Sequence, residues 1–588
     1  MGEAASTKGA PVSPPVLHMI RRSPGEIPVG LRTLHPVLAR VYSGRNLRDP
    51  TELDHSLAHL LPPSGLNGID AAARLLAEAV ARGRRILIVG DFDADGATSC
   101  ALAWRALRDI GAAEVDFLVP NRFAYGYGLT PEIVEVAALR CPDLIVTVDN
   151  GISSLAGVEA ARSRGIAVLV TDHHLAGSES PAADAIVNPN QPGDGFASKN
   201  LAGVGVIFYV MLALRACLRA DGWFARRSLP EPNLARLLDL VALGTVADVV
   251  PLDYNNRILV AQGLKRIRQG QSCPGIAALL EIAGRHHATT TAADLGFAVG
   301  PRLNAAGRLE DMSLGIACLI TDDVARAQEL AQRLDQLNRE RRSIEAGMQA
   351  QALSALRLLE LDAQLPPGLC LFDESWHQGV IGILAGRIRE RVHRPVIAFA
   401  PAGGTEIKGS ARSVAGLHIR DTLDAVATRH PGLLQRFGGH AMAAGLTLER
   451  SCLERFGQAF AEEVGRRLDC ESLQGVVVSD GELAGTELTL ELAELLRSGG
   501  PWGQGFPEPL FDGIFDITGA RVVGERHLKL VLRHADGAML DAIAFNQAGD
   551  AWQPGRRVRA AYRPDVNQFQ GSRSLQLIVT HLWPQDPT

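Results

Sequence analysis

Between about residue 70 and residue 250, short β-branched and aliphatic runs alternate with amphipathic stretches. RRILIVGD leads into GATSCALAWRALRDIG, AEVDFLVP precedes TPEIVEVAAL, PDLIVTVDNG precedes SSLAGVEAARSRG, and IAVLVTDHH follows. Continuous apolar strands separated by helices require burial on both faces, which predicts an α/β architecture with a doubly wound parallel sheet. In such sheets ligands lie beyond the carboxyl ends of the strands. There the chain concentrates its acids.

The first of these strands runs into GDFDADG, with Asp91, Asp93 and Asp95 at alternate positions. An EF-hand loop opens on the same alternation but needs a helix before it and a Glu at its twelfth position. Here a strand precedes it and the twelfth residue is Leu102. A solvated turn is the ordinary use of such Asp and Gly residues. Other strand ends argue for more: Asp149 closes LIVTVDNG, Asp172, His173 and His174 close VLVTDHH, and Asp248 follows in ALGTVADVVPL. Asp172 and His174, taken singly, also fit capping or core roles. Carboxylates with imidazole and no thiolate point to Mg²⁺ or Mn²⁺. A carboxylate shared by two ions about 3.5 to 4 Å apart would suit phosphoester displacement.

The length of 588 residues exceeds what one core organises, so several domains are expected. A hydrophobic fraction of 46% and a charged fraction of 21% describe a chain able to build sizeable cores. The eight cysteines form no C-x-x-C pair, which argues for reduced thiols and against structural zinc. No leader or continuous apolar run of membrane length is read, so a cytoplasmic protein without a membrane partner is expected. A net charge of −6 gives no global sign of a polyanion partner.

The organisation reads as an N-terminal extension over 1–48, the strand–helix domain over 49–322 and a connecting helix over 323–363. A smaller α/β domain follows over 364–470, and five short strands over 471–588 fit a small closed β-barrel of OB type. A β-sandwich is the alternative for that last module.

The motifs GDFDADG, TVDNG, TDHH and GTVADVVPL resemble, in order and spacing, those of the DHH phosphoesterase superfamily. WHQGVIGILAGRI, KGSARS and RFGGHAMAAGL resemble its DHH-associated second domain. With VPNRFAYGYGLT, LAGVGVIF, GPRLNAAGRL and PWGQGFPEPLF, the set is similar to superfamily members that degrade single-stranded DNA from its 5′ end. The resemblance implies two ions held by Asp93, Asp95, Asp149, His173 and Asp248, with Asp149 as the bridge. It also implies catalytic positions at Asp91 and His174, the latter near the scissile phosphate. DNA repair and recombination are the implied processes, with a helicase and a single-strand-binding protein as partners of a monomeric enzyme.

Phosphate donors are expected at Arg122, Arg302, Asn304, Arg308, Ser410, Arg412 and His440. By resemblance, Ser410 and Arg412, assisted by Arg122 and Arg302, would hold a 5′-terminal phosphate. Tyr125, with Phe123 and Tyr127, offers stacking for bases or ordinary core packing. Two alternatives remain open: a DHH phosphodiesterase acting on oligonucleotides or cyclic dinucleotides, and a noncatalytic single-strand-binding scaffold.

Overall fold

The computed structural model describes residues 17–23, 25–120, 128–360, 365–468, 475–548, 552–569 and 571–585. The chain divides into two units, residues 21–338 with 479–588, and residues 339–478 with those up to 20. The strand β1 (Leu17–Arg21) opens the described chain.

The larger unit contains the expected sheet. β2 (Arg85–Gly90), β3 (Glu114–Leu118), β4 (Leu144–Val148), β5 (Ala167–Thr171) and β6 (Ala185–Val187) are all parallel, in spatial order β3-β2-β4-β5-β6. Alternate side chains enter different cores. Leu87, Val89, Ile145 and Val168 pack with Ile133 and Val158 of the helices Pro131–Ala138 and Leu155–Arg162. Ile86, Ile88, Val146 and Leu169 face the main core, which includes the helices Ala94–Ile110 and Gly203–Ala220. The direction of winding reverses between β2 and β4, where Gly90 pairs with Val148. A crevice opens beyond the strands at such a switch point.

The helix Gly203–Ala220 has the length and hydropathy to cross a bilayer, but 61% of it is buried inside the protein. Its apolar character reflects a position in the main core, where Val204, Ile207 and Met211 are fully covered.

The expected N-terminal extension ends earlier than residue 48. Leu31, Val37, Leu38, Val41 and Tyr42 are buried in the main core. The helix Pro36–Ser43 is a stripe of two turns, too short for periodicity to reveal.

The long helix Val324–Glu360 runs unbroken, with Ala327, Leu330, Ala331, Leu334 and Leu337 buried at three-and-four spacing. Its later residues Met348 and Ala352 pack in a core of the smaller unit. That unit has a mixed sheet of β7 (Leu369–Phe372), β8 (Val396–Gly403), β9 (Glu406–Arg412), β10 (Arg436–Gly439) and β11 (Ala443–Glu449), in order β10-β11-β9-β8-β7. Only β7 and β8 run parallel. β12 (Gly475–Ser479) pairs with β1.

The C-terminal strands β13 (Phe511–Val523), β14 (His527–His534), β15 (Met539–Ala544), β16 (Arg557–Phe569) and β17 (Ser572–Pro584) close into a barrel in order β13-β14-β15-β17-β16. Parallel pairing of β15 with β17 and antiparallel pairing of β13 with β16 complete the circuit. Register shifts at Ile517/Gly519 and Ala561/Tyr562 accompany the bending of the long strands. Phe515, Leu530, Leu532, Tyr562 and Leu577 fill the interior, so a sandwich is excluded.

Candidate metal centre

The acids of GDFDADG lie at the turn from β2 into the helix Ala94–Ile110. Asp93 is the N-cap, in extended conformation, and its carboxylate accepts from the amides of Asp95 (2.9 Å) and Gly96 (3.0 Å). Asp95 is fully buried in the first turn. Its two oxygens accept from the amides of Gly203 (2.6 Å) and Val204 (3.0 Å), the start of another helix. A carboxylate suits that position because amide donors and the helix dipole converge there.

Across the switch point, Asp149 follows β4 in left-handed conformation, with φ 62. Its amide donates to the Thr171 carbonyl (3.1 Å), extending the ladder one residue beyond the strand. Gly203 abuts it: a Cβ on that glycine would lie 2.6 Å from the Asp149 Cβ. Only a residue without a side chain lets the helix approach so closely.

After β5, Asp172 is buried and accepts from the amides of Ile152 (2.9 Å), His173 (2.7 Å) and His174 (3.1 Å), and pairs with His174 Nδ1 at 2.7 Å. Asn190 Nδ2 donates to the His173 carbonyl (2.6 Å) and Asn188 Nδ2 to that of His174 (2.9 Å). The loop is thereby fixed from both sides. His173 Nε2 lies 3.1 Å from Asp149 Oδ1, 3.5 Å from Asp248 Oδ2 and 4.0 Å from Asp95 Oδ2. Asp248 arrives at the C-cap of the helix Leu238–Ala247, a terminus whose carbonyls add negative potential.

Three sets of ligand atoms lie within 4.8 Å of one another: Asp149 with His173 and His174, Asp95 with His173 and Asp248, and Asp91 with Asp93 and Asp149. All seven sequence-predicted centre residues therefore converge. Asp149 and His173 each belong to two of the sets.

Electrostatics explain what such a cluster needs. Burial, then Asp248 and Asp93, push Asp95 well above the usual carboxylate range, against the amides of Val204 and Gly203. Burial and the neighbouring acids Asp95, Asp93, Asp91 and Asp248 do the same to Asp149. Burial and Asp93 raise Asp248 to about 7, with His174 opposing. A divalent cation relieves that repulsion and keeps the acids ionised. Five carboxylates with two imidazoles fit Mn²⁺ or Mg²⁺ by donor chemistry.

His174 is different. Burial works to lower it, but the Asp172 carboxylate and the charges of Asp248 and Asp91 lift it to about 9. Burial likewise works to raise Asp172, and its bond to His174 and the two imidazole charges bring it below the usual range.

The expected phosphate donors separate. Arg302 is 9% exposed and its guanidinium engages Asp335 of the long helix at 2.8 and 2.9 Å and the Ala298 carbonyl, one turn before Arg302, at 2.6 Å. Asn304 Oδ1 accepts from the Ala94 amide (2.7 Å), between Asp93 and Asp95. It acts on the acid loop. Arg308 lies half-buried toward the end of the same helix, Gly300–Leu309. Ser410 and Arg412 are on β9 in the smaller unit, where Arg412 Nη1 donates to Ser410 Oγ (3.1 Å) and the Ala411 carbonyl (2.8 Å). His440 follows β10, its amide donating to the Ala443 carbonyl (2.8 Å). Arg122 and Tyr125 lie outside the described residues.

Sequence reasoning left Asp172 open as a cap or core group and gave Asn188 and Asn190 no role. The TDHH motif carried a signal for Asp172, since an acid two residues before a histidine can reach its Nδ1. The asparagines offered none.

Comparison with known proteins covers nearly the whole chain. Residues 85–245 match the DHH family, N-terminal domain, residues 365–466 the DHHA1 domain, and residues 479–581 the RecJ OB domain. The single-stranded-DNA-specific exonuclease RecJ of Dickeya dadantii is 58% identical over 576 residues, covering 97% of this chain and 100% of that protein. That of Escherichia coli is 56% identical over 555 residues, covering 94% and 96%. Among solved structures, RecJ from Thermus thermophilus in complex with Mn²⁺ superposes with a TM-score of 0.77 at 32% identity, over 96% of this chain and 78% of that one. A structure of the same protein in complex with Mg²⁺ matches with a TM-score of 0.72.

Proposed function

The chain belongs to the RecJ family of DHH phosphoesterases, and from that premise we propose a two-ion exonuclease that removes nucleotides from the 5′ end of single-stranded DNA. It is a metal-dependent, single-stranded-DNA-specific exonuclease using Mn²⁺ or Mg²⁺. The observation that carries the two-ion reading is the place of Asp149 beside Asp91 and Asp93 on one side and beside His173, itself grouped with Asp95 and Asp248, on the other.

In this reading Asp93, Asp95, Asp149, His173 and Asp248 would hold the ions, Asp149 would be shared, and Asp91 would support the Asp93 side. When bound, the ions supply Lewis acidity toward water and neutralise the phosphoryl oxygens. Asp172, 2.7 Å from His174 Nδ1, orients the ring and raises its proton affinity, which favours a charged hydrogen bond from His174 to a nonbridging phosphate oxygen. Asn304 holds the backbone between Asp93 and Asp95, fixing the spacing of two acids. Ser410 and Arg412 are assigned to a 5′-terminal phosphate, and Arg122, Arg308 and His440 are each assigned as phosphate donors. Tyr125 stacks on a base, and the barrel extends the path of the strand.

We assign the domains as read from sequence, with residues from Val29 onward added to the catalytic one. A cytoplasmic monomer working with a helicase and a single-strand-binding protein in repair and recombination completes the proposal.

The test presents 5′- and 3′-labelled single strands, duplex DNA and a dinucleotide with Mn²⁺. Release from the 5′ end of the single strand, abolished in Asp149→Ala while the fold persists, is expected. Preference for the dinucleotide, or strand binding without cleavage by the unaltered chain, would sink the reading.

A further inference from the structure

Asp248 itself has helical backbone angles, but the chain turns sharply just after it. The next residue, Val249, has φ 63 and is 62% exposed, a left-handed conformation that a β-branched side chain seldom adopts. Such a turn persists only where its surroundings hold it. One side faces a cavity of about 550 Å³, whose wall includes Val246, Val249 and Val250, so support must come from the residues that follow.

Those residues are clamped between two parts of the chain. From the helix Tyr254–Arg268, Arg257 Nη1 donates to the Leu252 carbonyl (3.0 Å) and Asn256 Nδ2 to that of Pro251 (3.0 Å). From the other side comes the segment that leads into the barrel. The Leu252 amide donates to the Gln504 carbonyl at 2.7 Å, and Leu252 is 3% exposed. A Cβ on Gly503 would sit 2.7 Å from Leu252 Cδ1 and 3.2 Å from its Cγ, and one on Gly505 3.1 Å from Pro251 Cβ. The segment is itself rigid. Gly503 and Phe506 exchange backbone hydrogen bonds at 2.9 and 3.1 Å, the Trp502 and Phe506 rings stack at 5.1 Å, and Arg257 lies over Phe506 at 4.4 Å.

We propose that residues 502–506 are a positioning element for Asp248: their backbone fixes Pro251 and Leu252, and through them the turn that presents the carboxylate. A methyl at Gly503 would press on the Leu252 side chain and one at Gly505 would crowd Pro251, so the two glycines let this backbone pack closely on the turn. The element precedes β13 by a few residues, so the barrel is linked through Leu252 and Pro251 to the segment that carries one ligand of the metal centre.

The inference rests on the metal-centre reading. Its test uses the full chain with Gly503→Ala, Leu252→Ala and the double variant, reading Mn²⁺ affinity by calorimetry, thermal unfolding, metal-free strand binding, and kcat and KM separately. Gly503→Ala is expected to weaken Mn²⁺ binding about tenfold, the scale of lost outer support for a ligand. It should lower kcat while KM and metal-free strand binding stay unchanged. Trimming Leu252 in the double variant makes room for the new methyl and restores part of the affinity, an interaction a general loss of stability would not show. If Gly503→Ala does not fold, Gly505→Asn carries the same expectation, since Asn tolerates the φ of +72 at that position. A folded variant with unaltered Mn²⁺ affinity, or one that loses strand binding alone, overturns the positioning role. An unaltered chain that takes up no Mn²⁺ would instead overturn the metal-centre reading.

Discussion

Replacing Asp149 by Asn should stabilise the metal-free protein while destroying its activity. The carboxylate has at least two acid neighbours, Asp91 and Asp93, with ligand atoms within 4.8 Å. At that separation and an effective dielectric of about 20, each like-charge contact costs about 3 kcal/mol. Protonation of one partner relieves part of this, so a net gain of about 1 to 3 kcal/mol is expected in chelator. Asn is a fair replacement because it tolerates the φ of 62 at this position. The sign with pH follows from the direction of the shifts. Asp149 and Asp95 are raised far above their unfolded values and Asp248 to about 7. The folded state therefore holds protons that the unfolded chain releases, and stability falls as pH rises from about 4 through 7. The gain from Asp149→Asn is greatest at about pH 8 and shrinks toward about pH 3, below which the acids are largely neutral in both states. Calorimetric unfolding of chelated and Mn²⁺-saturated protein measures it, and Mn²⁺ should raise the transition of the unaltered chain but not of the variant. A chelated variant that unfolds earlier than the unaltered chain at about pH 8 would refute the reasoning, because crowding would then not be the dominant cost.

Three further outcomes are expected. Mn²⁺ affinity of the unaltered protein should rise between about pH 6 and pH 8 with release of protons, as Asp248 ionises through about 7; a flat profile by calorimetry contradicts this. In chelated Asp172→Asn, the His174 ring should titrate below its ordinary value, since burial remains after the partner is lost. The stability deficit should be full below about pH 6.5 and shrink as pH passes 9, because the protonated ring supplies the lost stabilisation; NMR titration and urea unfolding read both. Asn304→Ala removes the acceptor of the Ala94 amide, a loss of about 1 to 2 kcal/mol, so kcat should fall about tenfold with KM unchanged. A raised KM with unaltered Mn²⁺ affinity would place Asn304 on the phosphate instead.

The strand-end acids were legible because residue type and strand period are local, and a parallel sheet brings its carboxyl ends to one edge. Asp91, Asp149 and His173 follow from that rule alone. The second task of Asp95, accepting from Gly203 and Val204, was not legible, since 108 and 109 residues separate the partners. The same holds for Asn304 and Ala94, 210 residues apart. Arg302 illustrates the limit from the other side. Its motif invites a phosphate, but Asp335 on the long helix takes its guanidinium, and no pattern within GPRLNAAGR announces that partner. The barrel was readable because five turn-bounded apolar strands leave few closed arrangements, whereas Pro36–Ser43 offered too few turns to register.

Asp95 joins the chemistry to the architecture. Its oxygens bind the first two amides of Gly203–Ala220 while Oδ2 lies 4.0 Å from His173 Nε2, so one carboxylate faces both a helix terminus and the candidate cation site. Without a cation, its raised proton affinity weakens it as an acceptor for those amides, because a neutral acid carries less charge toward them. With a cation the acid would be ionised and would accept from both amides as a charged group. Metal uptake should therefore tighten the start of a helix that forms part of the main core, and hydrogen exchange at the Gly203 and Val204 amides should slow when Mn²⁺ is added. Equal exchange with and without Mn²⁺ would mean that Asp95 stays ionised throughout and that the amides alone hold its charge.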